Sequence, residues 1–151
     1  MSSEFRTTRR VEFSDTDAAG LMHFSNFFRF MESAEHAFFR SLGLSIHDAI
    51  GKHQVGWPRV HAECSFTQPL HFEDDVEIQL IVREVMSSSI TYEFIFRKSR
   101  EAKSSEAARG RMTTVFVDMN PETGELKSTP LPESITNLIK PLSGTMKPDM
   151  K

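Results

Sequence analysis

The chain has one cysteine, Cys64, so no internal disulfide can form and a reducing, cytoplasmic compartment is expected. No apolar run approaches the roughly 20 residues that span a bilayer. Residues 1–10 are polar and charged, without the apolar core of a secretory signal. Positive charge is not in excess: 18 Lys and Arg stand against 21 Asp and Glu, for a net charge of -3. Neither nucleic acid nor an anionic membrane surface is therefore an expected partner. No set of His, Cys, Asp and Glu has metal-ligand spacing, so no metal is expected. Gly-rich phosphate loops, internal repeats and low-complexity segments are also missing.

What remains is a chain of 151 residues with 13 phenylalanines, long enough for one domain with a real core and too short for two. A single domain is expected over residues 1–140, followed by a disordered tail at 141–151 that has lost all pattern. Phe5, Val11 and Phe13 share one parity in a first strand candidate. From about residue 25 to 42 the period changes to that of a helix. Phe24, Phe27, Phe28, Met31, Ala34, Ala37, Phe38 and Leu42 form its apolar stripe. Ser25 and Asn26 are suitable N-caps, and Gly43 is a suitable stop. A second short helical piece is expected at 45–50.

Strands follow. Val60, Ala62, Cys64 and Phe66 alternate with polar residues, as do Val76, Ile78, Leu80 and Val82, and then Ile90, Tyr92, Phe94 and Phe96. A last run covers about 107–118 and ends in the turn signal Asn120-Pro121-Glu122-Thr123-Gly124. The later connections are short and polar, so these strands should pair antiparallel. Pro132 opens a short C-terminal helix carrying Ile135, Leu138 and Ile139. One helix apolar over much of its circumference can be buried only if a sheet wraps around it. The expected class is α+β: a hotdog fold, with a curved antiparallel sheet of about five strands around a long central helix.

The segment with the most chemistry is Asp15-Thr16-Asp17-Ala18-Ala19-Gly20-Leu21-Met22-His23-Phe24-Ser25. It sets carboxylates beside the amide-rich start of a helix. That pairing can attack or hydrate a carbonyl and stabilise the resulting oxyanion.

The motif, its preceding strand and its aromatic helix resemble the 4-hydroxybenzoyl-CoA thioesterase family of hotdog proteins. The resemblance extends over about residues 8–135. Residues 66–76, a strand end followed by Pro69 and an acidic turn, resemble the family's later signature. This resemblance implies that Asp17 is the catalytic carboxylate, as nucleophile or as general base activating water. It also implies that backbone amides near Phe24 and Ser25 polarise the thioester carbonyl. Asp15 would order the turn, and Gly20 would permit close backbone approach.

His23 lies one residue before the place where one branch of the family carries a histidine; that place is Phe24 here. His23 is a candidate to assist catalysis, with a solvent-facing loop histidine as the competing role. Glu32 and Glu35 are alternative carboxylates, because another branch uses a helix acid. Solvated or interface charges are the competing role, and His36 beside Glu32 fits an ordinary i,i+4 pair.

Phe27, Phe28, Phe66 and Trp57 are candidates to line an acyl pocket, although most phenylalanines should build the core. Ser88 and Ser89 occupy the hairpin where related enzymes often carry basic residues for coenzyme A. Their hydroxyls and Arg83 just before them are the candidates for phosphate contact, as are Arg59, Arg97, Lys98 and Arg100, each of which reads first as solvated strand-edge charge. Cys64 falls on the apolar parity of a strand and should be a core residue.

The implied activity is hydrolysis of an aromatic or fatty acyl-CoA, with coenzyme A as part of the substrate and as product and no separate cofactor. An acyl-carrier-protein substrate is the variant reading. A homodimer or homotetramer is expected, with edge-to-edge sheets placing each site between subunits. Two other functions compete: a hotdog enoyl-thioester hydratase or dehydratase, and a non-catalytic acyl-thioester-binding module. The hydratase motif expects a histidine at another spacing, preceded by proline and asparagine. The run from Asp17 to His23 does not reproduce it.

Overall fold

The alternation of Phe5, Thr7 and Arg9 with exposed residues makes the first strand, Glu4–Arg10 (β1). It is shorter than the pattern implied, because Phe13–Asp15 coils into one turn of 3-10 helix. The computed structural model describes residues 2–46, 54–99 and 106–142. The helix (α1) runs over Asn26–Ser41. The remaining strands are Gln54–Gly56 (β2), Arg59–Phe66 (β3), Asp75–Val85 (β4), Ser89–Lys98 (β5), Glu106–Val115 (β6), Val117–Met119 (β7) and Leu126–Ser128 (β8). A one-turn helix at Glu133–Thr136 (α2) follows. Most of the helical piece expected at 45–50, and the tail from residue 143, lie outside the described residues.

Five strands form one antiparallel sheet in the order β1-β4-β5-β6-β3, and β2-β7-β8 form a smaller one. The large sheet covers α1, which buries Phe27, Phe30, Met31, Ala34, Glu35, Phe38 and Phe39. Burial of each large apolar side chain contributes about 1.5–3 kcal/mol. Phe30 and Phe39 belong to this face, whereas Phe28 is half-buried and Phe24 is 65% exposed ahead of the helix. Gly110 on β6 leaves the room that the Met31 side chain occupies.

The expected alternation in β3 breaks at its start. Val60 is 63% exposed, because the register against β6 slips between Arg59 and His61. At the far end, Leu138 and Ile139 lie beyond α2, and Ile139 is buried while bridging Ser2. Among the described residues, no helix is long and apolar enough to cross a membrane.

Candidate active site

The loop between the 3-10 turn and α1 is held from both sides. Val11 donates its N–H to the Asp74 carbonyl at 2.9 Å, and Glu73 returns one to Val11 at 2.9 Å. The buried Asp15 accepts the Glu12 N–H on its carboxylate at 2.9 Å. Its carbonyl accepts the His23 N–H and the Asn26 side-chain amide, both at 2.8 Å. Asp15 therefore orders the turn.

Asp17 sits exposed at the loop's tip. Its Oδ1 accepts the N–H groups of Ala19 at 2.8 Å and Leu21 at 3.1 Å. These bonds hold the carboxylate in one orientation and leave Oδ2 without a hydrogen-bond partner among the described residues. Gly20 closes the turn, donating to the Asp17 carbonyl at 3.0 Å with φ of 79°. A Cβ at Gly20 would meet open space, so the left-handed backbone requires the glycine and close packing does not.

At the helix start, His23 acts as a cap. Its Nδ1 accepts the Ser25 N–H at 3.2 Å and lies 2.7 Å from Ser25 Oγ. The His23 ring stacks on Phe24 at 4.5 Å between centroids. Among the described residues, the Phe24 N–H has no acceptor. An unpaired amide at the positive end of a helix is suited to receive an oxyanion.

Asp17 and Phe24 line a cleft of about 340 Å³. Phe27 and Phe66 form its aromatic wall, edge to face at 4.8 Å, and Phe27 continues to Phe96 at 5.3 Å. Leu21, Met22, Thr67, Gln68, Pro69 and Leu70 complete the lining. No role in a site was read for these six from the sequence, although Leu21 and Met22 belong to the segment at 15–25 and the other four to the motif at 66–76. Thr67 shows why that segment matters: its hydroxyl and N–H are fastened to the carbonyls of Glu106 and Ala107 at 2.7 and 2.9 Å. The strand end thus becomes a fixed wall.

Other candidates lie elsewhere in the single chain. Phe28 is half-buried against the core and outside the cleft lining. Trp57 packs between Phe39 at 5.8 Å and Phe116 at 4.9 Å. Phe39 is 12 residues beyond Phe27, about 18 Å along the helix, so Trp57 closes the opposite end of the core. Ser88 and Ser89 stand at the β4–β5 turn, where Met86 donates to the Ser89 carbonyl at 2.9 Å. The cleft lies toward the other end of these strands, beside Phe96, seven residues or about 23 Å of extended chain from Ser89.

The cations named for phosphate contact have acidic or amide partners. Arg83 binds Glu93 at 3.2 Å, Arg97 binds Gln79 at 2.8 Å, and Lys98 lies 3.6 Å from Asp74. Arg100 lies outside the described residues. Glu35 is fully buried on Arg59, whereas Glu32 is exposed and 3.5 Å from the same guanidinium. Neither acid lines the cleft. Burial pushes the half-buried Cys64 thiol up to about 12, as suits a packing residue. Among the described residues, no three His, Cys, Asp or Glu come together to hold a metal ion.

The model of the thioesterase-like superfamily matches residues 11–139. The chain belongs to that superfamily. Among its thioesterase relatives, a 1,4-dihydroxy-2-naphthoyl-CoA hydrolase of Rippkaea orientalis (strain PCC 8801 / RF-1) is 29% identical over 133 residues. That match covers 88% of this chain and 93% of the relative. The structure of a gentisyl-coenzyme A thioesterase is 33% identical, with a TM-score of 0.74 over 86% of this chain and 98% of its own. A 4-hydroxybenzoyl-CoA thioesterase variant complexed with 4-hydroxybenzoyl-CoA superposes with a TM-score of 0.80 at 19% identity. It covers 91% of this thioesterase-superfamily chain and 99% of that one, a likeness of fold. The hotdog fold and the thioester-hydrolase class expected from the sequence agree with this membership.

Proposed function

We propose that the protein hydrolyses an aromatic acyl-CoA thioester at the cleft between Asp17 and Phe24. The observation that carries this reading is the shared lining. A carboxylate oriented by two backbone amides and an N–H without an acceptor among the described residues border one opening walled by Phe27 and Phe66. The thioester carbonyl oxygen would accept the Phe24 N–H. Asp17 would then attack the carbonyl carbon, or take a proton from a water that does so. The tetrahedral oxyanion collapses, the carbon–sulfur bond breaks, and coenzyme A leaves as thiolate. Water supplies the oxygen of the free acid, so the chemistry calls for no cofactor beyond the coenzyme A of the substrate. The aromatic preference rests on the edge-to-face ring wall and on relatives named for naphthoyl- and gentisyl-CoA.

The site is completed, in this reading, by a second copy of the chain. β3 is a sheet edge, and its residues are exposed even where they face inward, as at Ala62. A free edge with Val60 and Phe66 exposed is a template for strand pairing. Two such edges joined would bring the partner against the wall at Phe66–Pro69.

The test is thiol release from benzoyl-, phenylacetyl-, hydroxynaphthoyl- and straight-chain acyl-CoAs. The expected result is the highest kcat/KM on aryl thioesters. Equal or higher values on straight-chain substrates would contradict the aromatic assignment, and no release from any would contradict hydrolysis.

A further inference from the structure

The irregularity at the start of β3 redirects one side chain. Ala62, Cys64 and Phe66 pair with Met112, Gly110 and Ala108 and share their inward face. Unbroken alternation would carry Val60 inward and turn Arg59 to solvent. The slip in register instead sets Arg59 opposite Thr114, which is fully buried, and turns Val60 out. Bulges that re-aim a side chain in this way are common next to functional sites.

Arg59 then forks onto Glu35 of α1. Nη1 donates to Oε2 at 3.0 Å and Nη2 to Oε1 at 2.7 Å, and Nη2 also reaches Glu32 at 3.5 Å. The Tyr92 and Thr114 hydroxyls are buried, and Thr114 lies opposite Arg59 in the ladder. Burial first, and the Glu35 carboxylate second, push the Tyr92 pKa well above its ordinary value.

Stability does not account for such a pair, since apolar residues of similar volume do as well or better in a core. A bidentate guanidinium supplies geometry instead: it fixes distance and orientation together. α1 meets the edge strand at this fork and again at the Phe27–Phe66 contact, 4.8 Å between centroids. Glu35 lies eight residues beyond Phe27, about 12 Å along the helix. The second contact is the aromatic wall of the cleft.

We propose that Glu35 and Arg59 are positioning residues that hold β3 against α1 and thereby set the spacing of the Phe27–Phe66 wall, and with it the width of the acyl cleft that this wall lines. The fork determines which acyl groups fit and takes no part in the bond-breaking step. This inference rests on the thioester-hydrolase reading above.

Steady-state kinetics on benzoyl-CoA and a naphthoyl-CoA would test it in Glu35→Gln, Arg59→Met and the double variant Glu35→Leu/Arg59→Met. The expected outcome is a raised KM at unchanged kcat for the preferred substrate. The ratio of kcat/KM between the two substrates should fall about tenfold toward unity, the scale on which apolar pockets discriminate by size. The apolar double variant should melt cooperatively and still show the loss, which separates cleft geometry from folding. A folded double variant with wild-type discrimination would overturn the proposal. A wild-type protein that releases no thiol from either substrate would overturn the hydrolase reading, and this one with it.

Discussion

Gly20 has φ of 79° in a turn whose two neighbours, Ala19 and Leu21, donate to Asp17. A side chain in that conformation costs roughly 1–2 kcal/mol, and nothing in the surrounding space adds to it. Gly20→Ala should therefore lower Tm by only about 2–8 °C. Its effect on turnover should be larger, because a shift near 1 Å at a reacting group can cost on the order of a hundredfold. Calorimetry and kcat measured on the same preparation check this; a Tm loss without a kcat loss would contradict it. The turn was legible in the sequence as Asp17, two small residues and glycine. Its left-handed backbone was not legible, and neither was the capping by His23. That role depends on a ring nitrogen facing one N–H, and no spacing rule encodes it.

At the level of elements, the α1–β3 seam shows where periodicity stops being informative. The helix, expected from about residue 25 to 42 and found over Asn26–Ser41, and the four long strands followed from apolar spacing, which reports which face is buried. A one-residue bulge leaves no trace in that spacing. Val60 thus read as core and Arg59 as solvated, and the fold reverses both. β2 and β8, three residues each, are too short to carry a period. The reversal has a titration consequence. Burial, outweighing the pull of the Arg59 guanidinium, raises the Glu35 pKa above its ordinary 4.5. The folded chain then holds this proton to higher pH than the unfolded chain does. Its contribution to stability is complete below about pH 4.5 and is lost as pH rises through the raised value. Tm measured from pH 4 upward should fall with this slope in the wild type and lose it in Glu35→Gln. Parallel curves would contradict the assignment.

For the molecule as a whole, the large sheet is blunted unequally at its two edges. At β1, the C-terminal segment reaches back: Ser2 donates to Leu138 at 2.7 Å and Lys140 to Ser2 at 3.1 Å. At β3, no further strand follows among the described residues. The outer face between them is matched in charge, with Arg6 on Glu77, Arg83 and Arg109 on Glu93, and Arg109 also on Glu106. Association should therefore run through the β3 edge. Light scattering should find a dimer or larger in the wild type and a monomer in Ala62→Arg, because edge charge opposes strand pairing. A monomeric wild type would contradict this. The edge also explains why the acyl wall was only half legible. Phe27 and Phe66 could be named from their aromatic character, whereas residues 67–70 become a wall only through the hydrogen bonds that fasten Thr67 and Gln68 to β6 and the Leu70 carbonyl to the Met22 N–H.

The central claim is that Asp17 performs the chemistry at this cleft. The most direct measurement compares the rate of thiol release from a saturating aryl-CoA in the wild type and in Asp17→Asn. The amide keeps the size of the side chain and an oxygen that can accept from Ala19 and Leu21, so the turn should survive and the melting curve should be unchanged. Loss of the carboxylate should lower the rate by on the order of a hundredfold or more. Equal rates in the two proteins would contradict the account and move the chemistry to another group.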